Sequence, residues 1–333
     1  MKPGSPWKLW SIAAAMLFFS TIAALAQTPK PTGKLVQLEG RRIHIHCTGK
    51  GQPTVVIENG FDEFSFDWMK VQSGVEKFTR VCTYDRAGYA WSDPGPLPRT
   101  YAQINLDLRS ALQKLGEKAP YLLIGHSFGG PVIRNYALTY RNEVAGLIFA
   151  ESVGDAHRIL MGPKTARIAD FAKNQPIPAP HEKLIASDAP PKTVVSDGRP
   201  EPKIEPPFDQ LSPELQKAQL WALAQPALQN AENSEREWSP EYLAKWLATD
   251  QKGSLGDLPI IVLAREKGGY DEGHDLSAAE LEKQRRQEHA DLAALSSRGE
   301  LSFVNSGHEI ELDAPDLVIQ AVHRLVIEWR KGH

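Results

Sequence analysis

A mostly parallel β-sheet covered by helices on both faces is the fold class that the sequence predicts, and three observations predict it. Short apolar runs of strand length recur along the chain, among them Val55-Val56-Ile57, Tyr121-Leu122-Leu123-Ile124 and Leu147-Ile148-Phe149-Ala150, and such continuous runs suit strands buried on both faces. Segments with apolar residues at helical spacing separate them, such as Ile104, Leu108, Ala111, Leu112 and Leu115. One glycine-rich turn, Gly125-His126-Ser127-Phe128-Gly129-Gly130-Pro131, joins the second run directly to an amphipathic segment carrying Val132, Ile133, Tyr136, Ala137 and Tyr140. Strand, turn, helix and next strand in that order give parallel pairing with helical crossovers.

The N-terminus stands apart from this pattern. Lys2 and Lys8 frame the start of an apolar run over residues 9–25 that closes with Ala24-Leu25-Ala26. A basic start, an apolar centre and a small-x-small end are the marks of a secretory signal peptide, here residues 1–26. Its removal predicts a secreted or periplasmic protein without a stable membrane anchor; retention of the run as an anchor is the alternative. The mature chain then loses two lysines and no acid, so its formal charge moves from −3 to −5. That mild acidity gives no reason to expect nucleic acid or an anionic membrane surface as a partner.

From residue 35 to 47 apolar and polar residues alternate around Glu39-Gly40-Arg41, a hairpin signal. Strands are predicted at 53–58, 80–84, 121–124 and 144–150, with helices over 66–78, 103–115 and from 132 onward. After Ser152 the regular alternation stops. Residues 152–254 read as an insertion lying over the carboxyl edge of the sheet as a cap, with helices predicted at 156–173, 213–230 and 240–249 around a proline-rich irregular stretch at 174–207. Regular order returns with a strand at 258–264, a charged helix at 277–295, a strand at 301–304 and a helix at 315–329. The core therefore comprises residues 27–151 and 255–333. No internal repeat is visible, and no His/Cys/Asp/Glu cluster has metal-ligand spacing, so neither metal nor organic cofactor is expected.

The turn at Ser127 carries the chemistry. A serine between a strand and a helix must adopt strained backbone angles to present its hydroxyl, and Gly125 and Gly129, lacking Cβ, let neighbouring elements approach closely enough to permit them. The helix that begins just beyond it turns free N–H groups and its positive dipole end toward the same point.

These stretches, in this order, resemble the α/β-hydrolase superfamily: Val55-Val56-Ile57-Glu58-Asn59-Gly60, Thr83-Tyr84-Asp85-Arg86-Ala87-Gly88 with Trp91-Ser92-Asp93, Gly125-His126-Ser127-Phe128-Gly129-Gly130, and Asn305-Ser306-Gly307-His308 with Asp313-Ala314-Pro315-Asp316. The resemblance implies an eight-stranded sheet with the cap inserted after strand 6. It also sets the second and fourth strands side by side, where Cys47 and Cys82 fall, so it implies a disulfide between them; two buried free thiols are the alternative. It makes Ser127 the nucleophile and His308, after the last strand, its base, because imidazole can shuttle a proton near neutrality. For the acid it leaves two positions. Glu151 ends the 144–150 strand and is favoured, since a carboxylate closing a buried apolar strand needs a partner; Asp271, after the 258–264 strand, is the alternative. The oxyanion hole falls to the backbone amides of Phe61 and Phe128, although the loop before Phe61 carries Asn59-Gly60 where the family usually has His-Gly. The other histidines receive no such role; His126, beside the serine, points elsewhere by strand alternation.

Together these readings predict a serine hydrolase cleaving carboxylic esters of an apolar small molecule through an acyl-enzyme on Ser127. The same parts serve lactone or amide cleavage and aminopeptidase action. Dehalogenation and epoxide hydrolysis are disfavoured, because the resemblance places an aspartate in those enzymes where this chain has Ser127. From another class, a non-catalytic ligand-binding protein on this scaffold remains the alternative.

Overall fold

The computed structural model describes residues 28–181 and 201–332. The signal peptide predicted at 1–26 and much of the proline-rich stretch lie outside the described residues. The chain runs β1 (Lys34–Leu38), β2 (Arg41–Thr48), β3 (Thr54–Glu58), α1 (Met69–Val75), β4 (Val81–Tyr84), α2 (Tyr101–Leu115), β5 (Tyr121–His126), α3 (Gly129–Thr139) and β6 (Val144–Ala150). A hairpin, β7 (Arg158–Met161) and β8 (Lys164–Arg167), and two helices, α4 (Pro213–Leu223) and α5 (Pro226–Leu247), separate β6 from β9 (Ile260–Arg265). Then follow α6 (Ala278–Ala293), β10 (Gly299–Val304), the short α7 (Ile310–Asp313) and α8 (Pro315–Gly332).

Eight strands form one sheet in the order β1-β2-β4-β3-β5-β6-β9-β10. The β1–β2 and β2–β4 pairs are antiparallel, and the others are parallel. Alternation along each strand sends side chains to opposite layers. Val56, Leu123, Leu147, Phe149 and Val262 meet Leu108, Ile133 and Tyr136 on one face, while Val55, Ile57, Leu122, Ile124, Ile148 and Ile261 meet Val71, Val318 and Val322 on the other. With apolar layers on both sides, the central strands β3, β5, β6 and β9 are buried along almost their whole length. Among the described residues no helix is long and apolar enough to cross a membrane.

Cys47 and Cys82 face each other in the β2–β4 register and are joined by a disulfide. The bridge closes a loop of sequence separation 35, for which chain entropy predicts about 3–4 kcal/mol of stabilisation. The Cys47→Ala/Cys82→Ala double variant is expected to lose about that much in urea unfolding; a loss below about 1 kcal/mol would mean that the covalent link adds little to this sheet edge.

Two expectations for the 152–254 segment are corrected. Residues 156–173 are not a helix: Met161-Gly162-Pro163 makes a turn, with Gly162 at φ 61°, and the flanking residues pair as β7 and β8. Pro163 has no N–H to continue a helix, and glycine takes the left-handed turn position without cost. Nor do two helices cover 213–230 and 240–249. The break falls at Gln225-Pro226, with Pro226 opening the second helix, and α5 then runs unbroken through Pro240 to Leu247. Proline at the first turn is favourable because that N–H has no helical acceptor anyway.

Candidate active site

Four structures converge at the carboxyl ends of the central parallel strands: the β5–α3 turn, the end of β6, the loop after β3 and the loop after β10. At the first, β5 ends in Gly125-His126 and α3 begins at Gly129, leaving Ser127 in left-handed backbone at φ 48°. A non-glycine residue there stores strain of about 1–3 kcal/mol and persists only when its surroundings impose it. They do: a Cβ on Gly129 would lie 2.3 Å from the carbonyl oxygen of Glu58, so the helix start and the β3 loop touch backbone to backbone. Ser127 itself is half-buried.

The β3 loop brings Gly60 against the serine; a Cβ on Gly60 would come within 3.1 Å of the Ser127 Cβ. Phe61 follows, its ring stacked on that of Phe128 with centroids 4.2 Å apart. Among the described residues the amides of Phe61 and Phe128 have no hydrogen-bond acceptor, which leaves both free to serve an oxyanion. Asn59, where the family usually has histidine, donates its side-chain amide to the Tyr84 carbonyl at 2.8 Å. It anchors the loop from below, so the substitution is accommodated.

Buried charge holds this loop. The Arg86 guanidinium, wholly buried, bonds Glu58 at 3.0 Å, the Asn59 carbonyl at 2.6 Å, the Gly60 carbonyl at 2.8 Å and the Tyr89 hydroxyl at 2.6 Å. From α5, Glu235 accepts from Arg86 at 3.2 Å and from the Tyr89 hydroxyl at 2.6 Å. Burial pushes the Glu58 carboxyl up to about 7, against the pull of Arg86 and the Tyr84 hydroxyl.

His308 sits in the loop after β10, where Gly307 N–H bonds the Asp313 carboxylate at 2.7 Å. Its carbonyl accepts from His126 Nε2 at 2.8 Å, and the two rings lie 4.8 Å apart. His126, which strand alternation turns away from Ser127, joins two of these loops. Its Nδ1 meets Glu63 Oε1 at 2.5 Å, while Glu63 Oε2 accepts the Gly60 amide at 2.7 Å. One imidazole, next in sequence to Ser127, thus ties the β3 loop to the His308 loop. Burial would lower its pKa, but Glu63 and Glu311 outweigh that and hold His126 up at about 10. Both ring nitrogens therefore carry protons at neutral pH, as their two acceptors require.

The His308 imidazole is pushed down to about 2 by burial and by the nearby positive charges of His126, Arg265, His157 and His289. It is neutral and unprotonated over the physiological range. Among the described residues its ring bonds neither Ser127 nor a carboxylate; catalytic hydrogen bonds commonly tighten only once substrate is bound.

Glu151 stands at the end of β6, directly beside β5, also in left-handed backbone at φ 42°. Its carboxylate is held elsewhere than on His308: it accepts the Arg265 amide at 2.6 Å and forms ion pairs with Arg265 Nε at 3.0 Å and Arg285 Nη1 at 3.7 Å, with His289 Nε2 at 3.9 Å. Arg265 is the shared neighbour of Glu151 and His308. Asp271 lies on the exposed loop after β9. The structure thus brings Ser127, Phe61, Phe128 and His308 to one edge and sets Glu151 there too, bound to arginine.

A serine at a strained strand-to-helix turn on an eight-stranded, mostly parallel sheet is the arrangement of the α/β-hydrolase fold, and the chain has that fold. A family model described as alpha/beta hydrolase fold matches residues 53–183. Solved structures agree: an esterase from Thermogutta terrifontis superposes with TM-score 0.59 at 17% identity, over 89% of this chain and 99% of that one. The epoxide hydrolase CorEH gives 0.60 at 16% identity, over 88% and 98%. An AB hydrolase superfamily protein from Gibberella zeae is 30% identical over 105 residues, 30% of this chain and 33% of that one. In three further curated relatives the matched stretch spans 20%, 37% and 49% of their length.

Proposed function

We propose that the protein is a secreted or periplasmic serine hydrolase that cleaves carboxylic esters of apolar small molecules. The observation that carries this reading is the left-handed backbone of Ser127 at the β5–α3 turn, a kind of strain that clusters at active sites. In the proposed reaction the Ser127 oxygen attacks the ester carbon as His308 takes its proton. The carbonyl electron pair moves onto oxygen, where the Phe61 and Phe128 amides hold it. Collapse expels the alcohol with the proton from His308, leaving an acyl-enzyme that water cleaves by the same steps in reverse. An epoxide or haloalkane reaction would call for a carboxylate at position 127. Export is supported by the Cys47–Cys82 bridge, which suits an oxidising compartment.

We assign the acid's role to Glu151, whose hold on His308 requires one oxygen to leave the arginine pair when substrate binds. The segment between β6 and β9 acts as the cap, its Tyr242 and Trp246 packing against Tyr101 and Phe128 of the core as the apolar wall.

The test is a series of p-nitrophenyl esters, acetate to laurate, with a fluorophosphonate probe and mass mapping of the labelled peptide. Labelling at Ser127 with ester turnover supports the reading; folded protein that neither turns over nor labels overturns it. Glu151→Gln is expected to lower kcat/KM by about 10²–10⁴-fold, the scale on which losing the acid beside a catalytic histidine acts, while Asp271→Asn stays within about twofold. The reverse ranking would move the acid to Asp271.

A further inference from the structure

Three residues on one face of α5, Glu232, Glu235 and Arg236, grip the loop that carries Phe61, and we infer that they are positioning residues for the oxyanion hole. The inference rests on the hydrolase reading above, and it assigns the inserted helix a part in the chemistry rather than in substrate enclosure alone.

The argument begins with peptide geometry. In a trans peptide the carbonyl of one residue and the N–H of the next point in opposite directions. The Phe61 N–H belongs to the same peptide as the Gly60 carbonyl, so whatever fixes that oxygen aims the donor. Arg86 Nη2 holds the Gly60 oxygen at 2.8 Å, and Glu235 in turn receives Nη2 at 3.3 Å and Nε at 3.2 Å. The peptide on the other side of Phe61 ends in the Asp62 N–H, which donates to Glu232 Oε1 at 2.8 Å. Asp62 is in left-handed backbone, φ 58°, and is otherwise exposed. Arg236 completes the grip: its guanidinium lies 3.9 Å from the Phe61 ring centroid and 3.5 Å from Glu232.

Both peptides flanking the donor are therefore set from α5, one directly and one through Arg86, and the ring between them is covered from α5 as well. Positions 232, 235 and 236 share a helix face because they are three and four residues apart. Glu232 is almost wholly buried, and burial together with the neighbouring Asp62 charge raises its carboxyl to about 7. A carboxyl kept out of water at that cost has its return in the bond to Asp62.

The predicted behaviour separates from mere structural support. A displaced donor weakens the oxyanion but not the ground-state ester. Glu232→Ala is expected to lower kcat for p-nitrophenyl butyrate by about 10–100-fold, below the 10²–10³ for outright loss of a donor, with KM within about threefold. A trifluoromethyl ketone should report the same loss. Ser127 adds to its carbonyl carbon, the serine proton passes to His308 and the electron pair settles on oxygen, so its Ki should rise in step with the fall in kcat. Glu232→Gln keeps the acceptor oxygen and should return both quantities to within about threefold of wild type. Arg236→Ala, at an exposed position, should lower kcat about threefold with no change in melting temperature, and it serves where Glu232→Ala fails to fold. Retention of kcat and ketone Ki within twofold in both alanine variants would overturn the inference. Amide hydrogen exchange over residues 61–64 reads the grip without turnover: at least tenfold faster exchange in Glu232→Ala supports it, and equal exchange overturns it even in a protein with no ester activity. Wild type that neither turns over nor labels would sink the hydrolase reading separately.

Discussion

Ser127→Ala is expected to abolish ester turnover, lowering kcat/KM by about 10⁵–10⁶-fold, as loss of the nucleophile does where serine, histidine and acid act as one unit. Fluorophosphonate labelling should disappear with the activity, while urea unfolding should move by less than about 1 kcal/mol, because no described hydrogen bond uses the Ser127 hydroxyl. Ser127→Gly separates the two roles of the position. Glycine adopts φ 48° freely, so this variant should be equally inactive yet more stable by about 1 kcal/mol. Retained turnover above about a hundredth of wild type in either variant would require a nucleophile other than Ser127.

The largest expected effect on stability belongs to Arg86. Its guanidinium neutralises Glu58 and Glu235, both buried, and satisfies the Asn59 and Gly60 carbonyls. Arg86→Met would leave two carboxylates in the interior with no cation, and breaking a buried network from one side costs about 3–5 kcal/mol. The deficit should depend on pH in a definite direction. Burial already raises the folded pKa of Glu58 from 4.5 to about 7, and removing Arg86 raises it further. A carboxyl whose folded pKa lies above its unfolded one binds more protons when folded, so stability falls as pH rises through that interval. Arg86→Met should accordingly be less impaired at pH 5 than at pH 8, read as urea midpoints at the two pH values. A deficit that is equal at both, or larger at pH 5, would show that the carboxylates are not the cause.

Much of this fold was legible because its signals are local. Each central strand is an unbroken apolar run, and Ser127 lies between such a run and an amphipathic helix, so strand, turn and helix follow from periodicity and glycine alone. The Cys47–Cys82 pair was legible only through the neighbour relation that the fold family implies. The insertion was read less well because its decisions are tertiary. Pro240 looks like a helix stop, yet α5 passes through it while Tyr242, Leu243 and Trp246 pack against Tyr101 and Phe128. His126 was passed over because alternation tells which face a residue takes but not what waits there; its partners Glu63 and Glu311 are 63 and 185 residues away. The ambiguity between Glu151 and Asp271 has the same origin. Arg265 occupies the strand end next to Glu151, and no spacing rule foretells that a cation would take the carboxylate.

The grip of α5 on the Phe61 loop also bears on how far the two parts of this chain can be exchanged. Inserted segments over a common sheet invite swapping between relatives to alter which substrates are accepted. Here a transplanted segment would have to bring two carboxylates three residues apart at the place where Glu232 and Glu235 stand, or Arg86 would face the interior with half its counter-charge missing. The junctions at residues 152 and 254 are permissive in sequence, but the unit of inheritance is larger: the insertion, Arg86 and the 58–62 loop travel together.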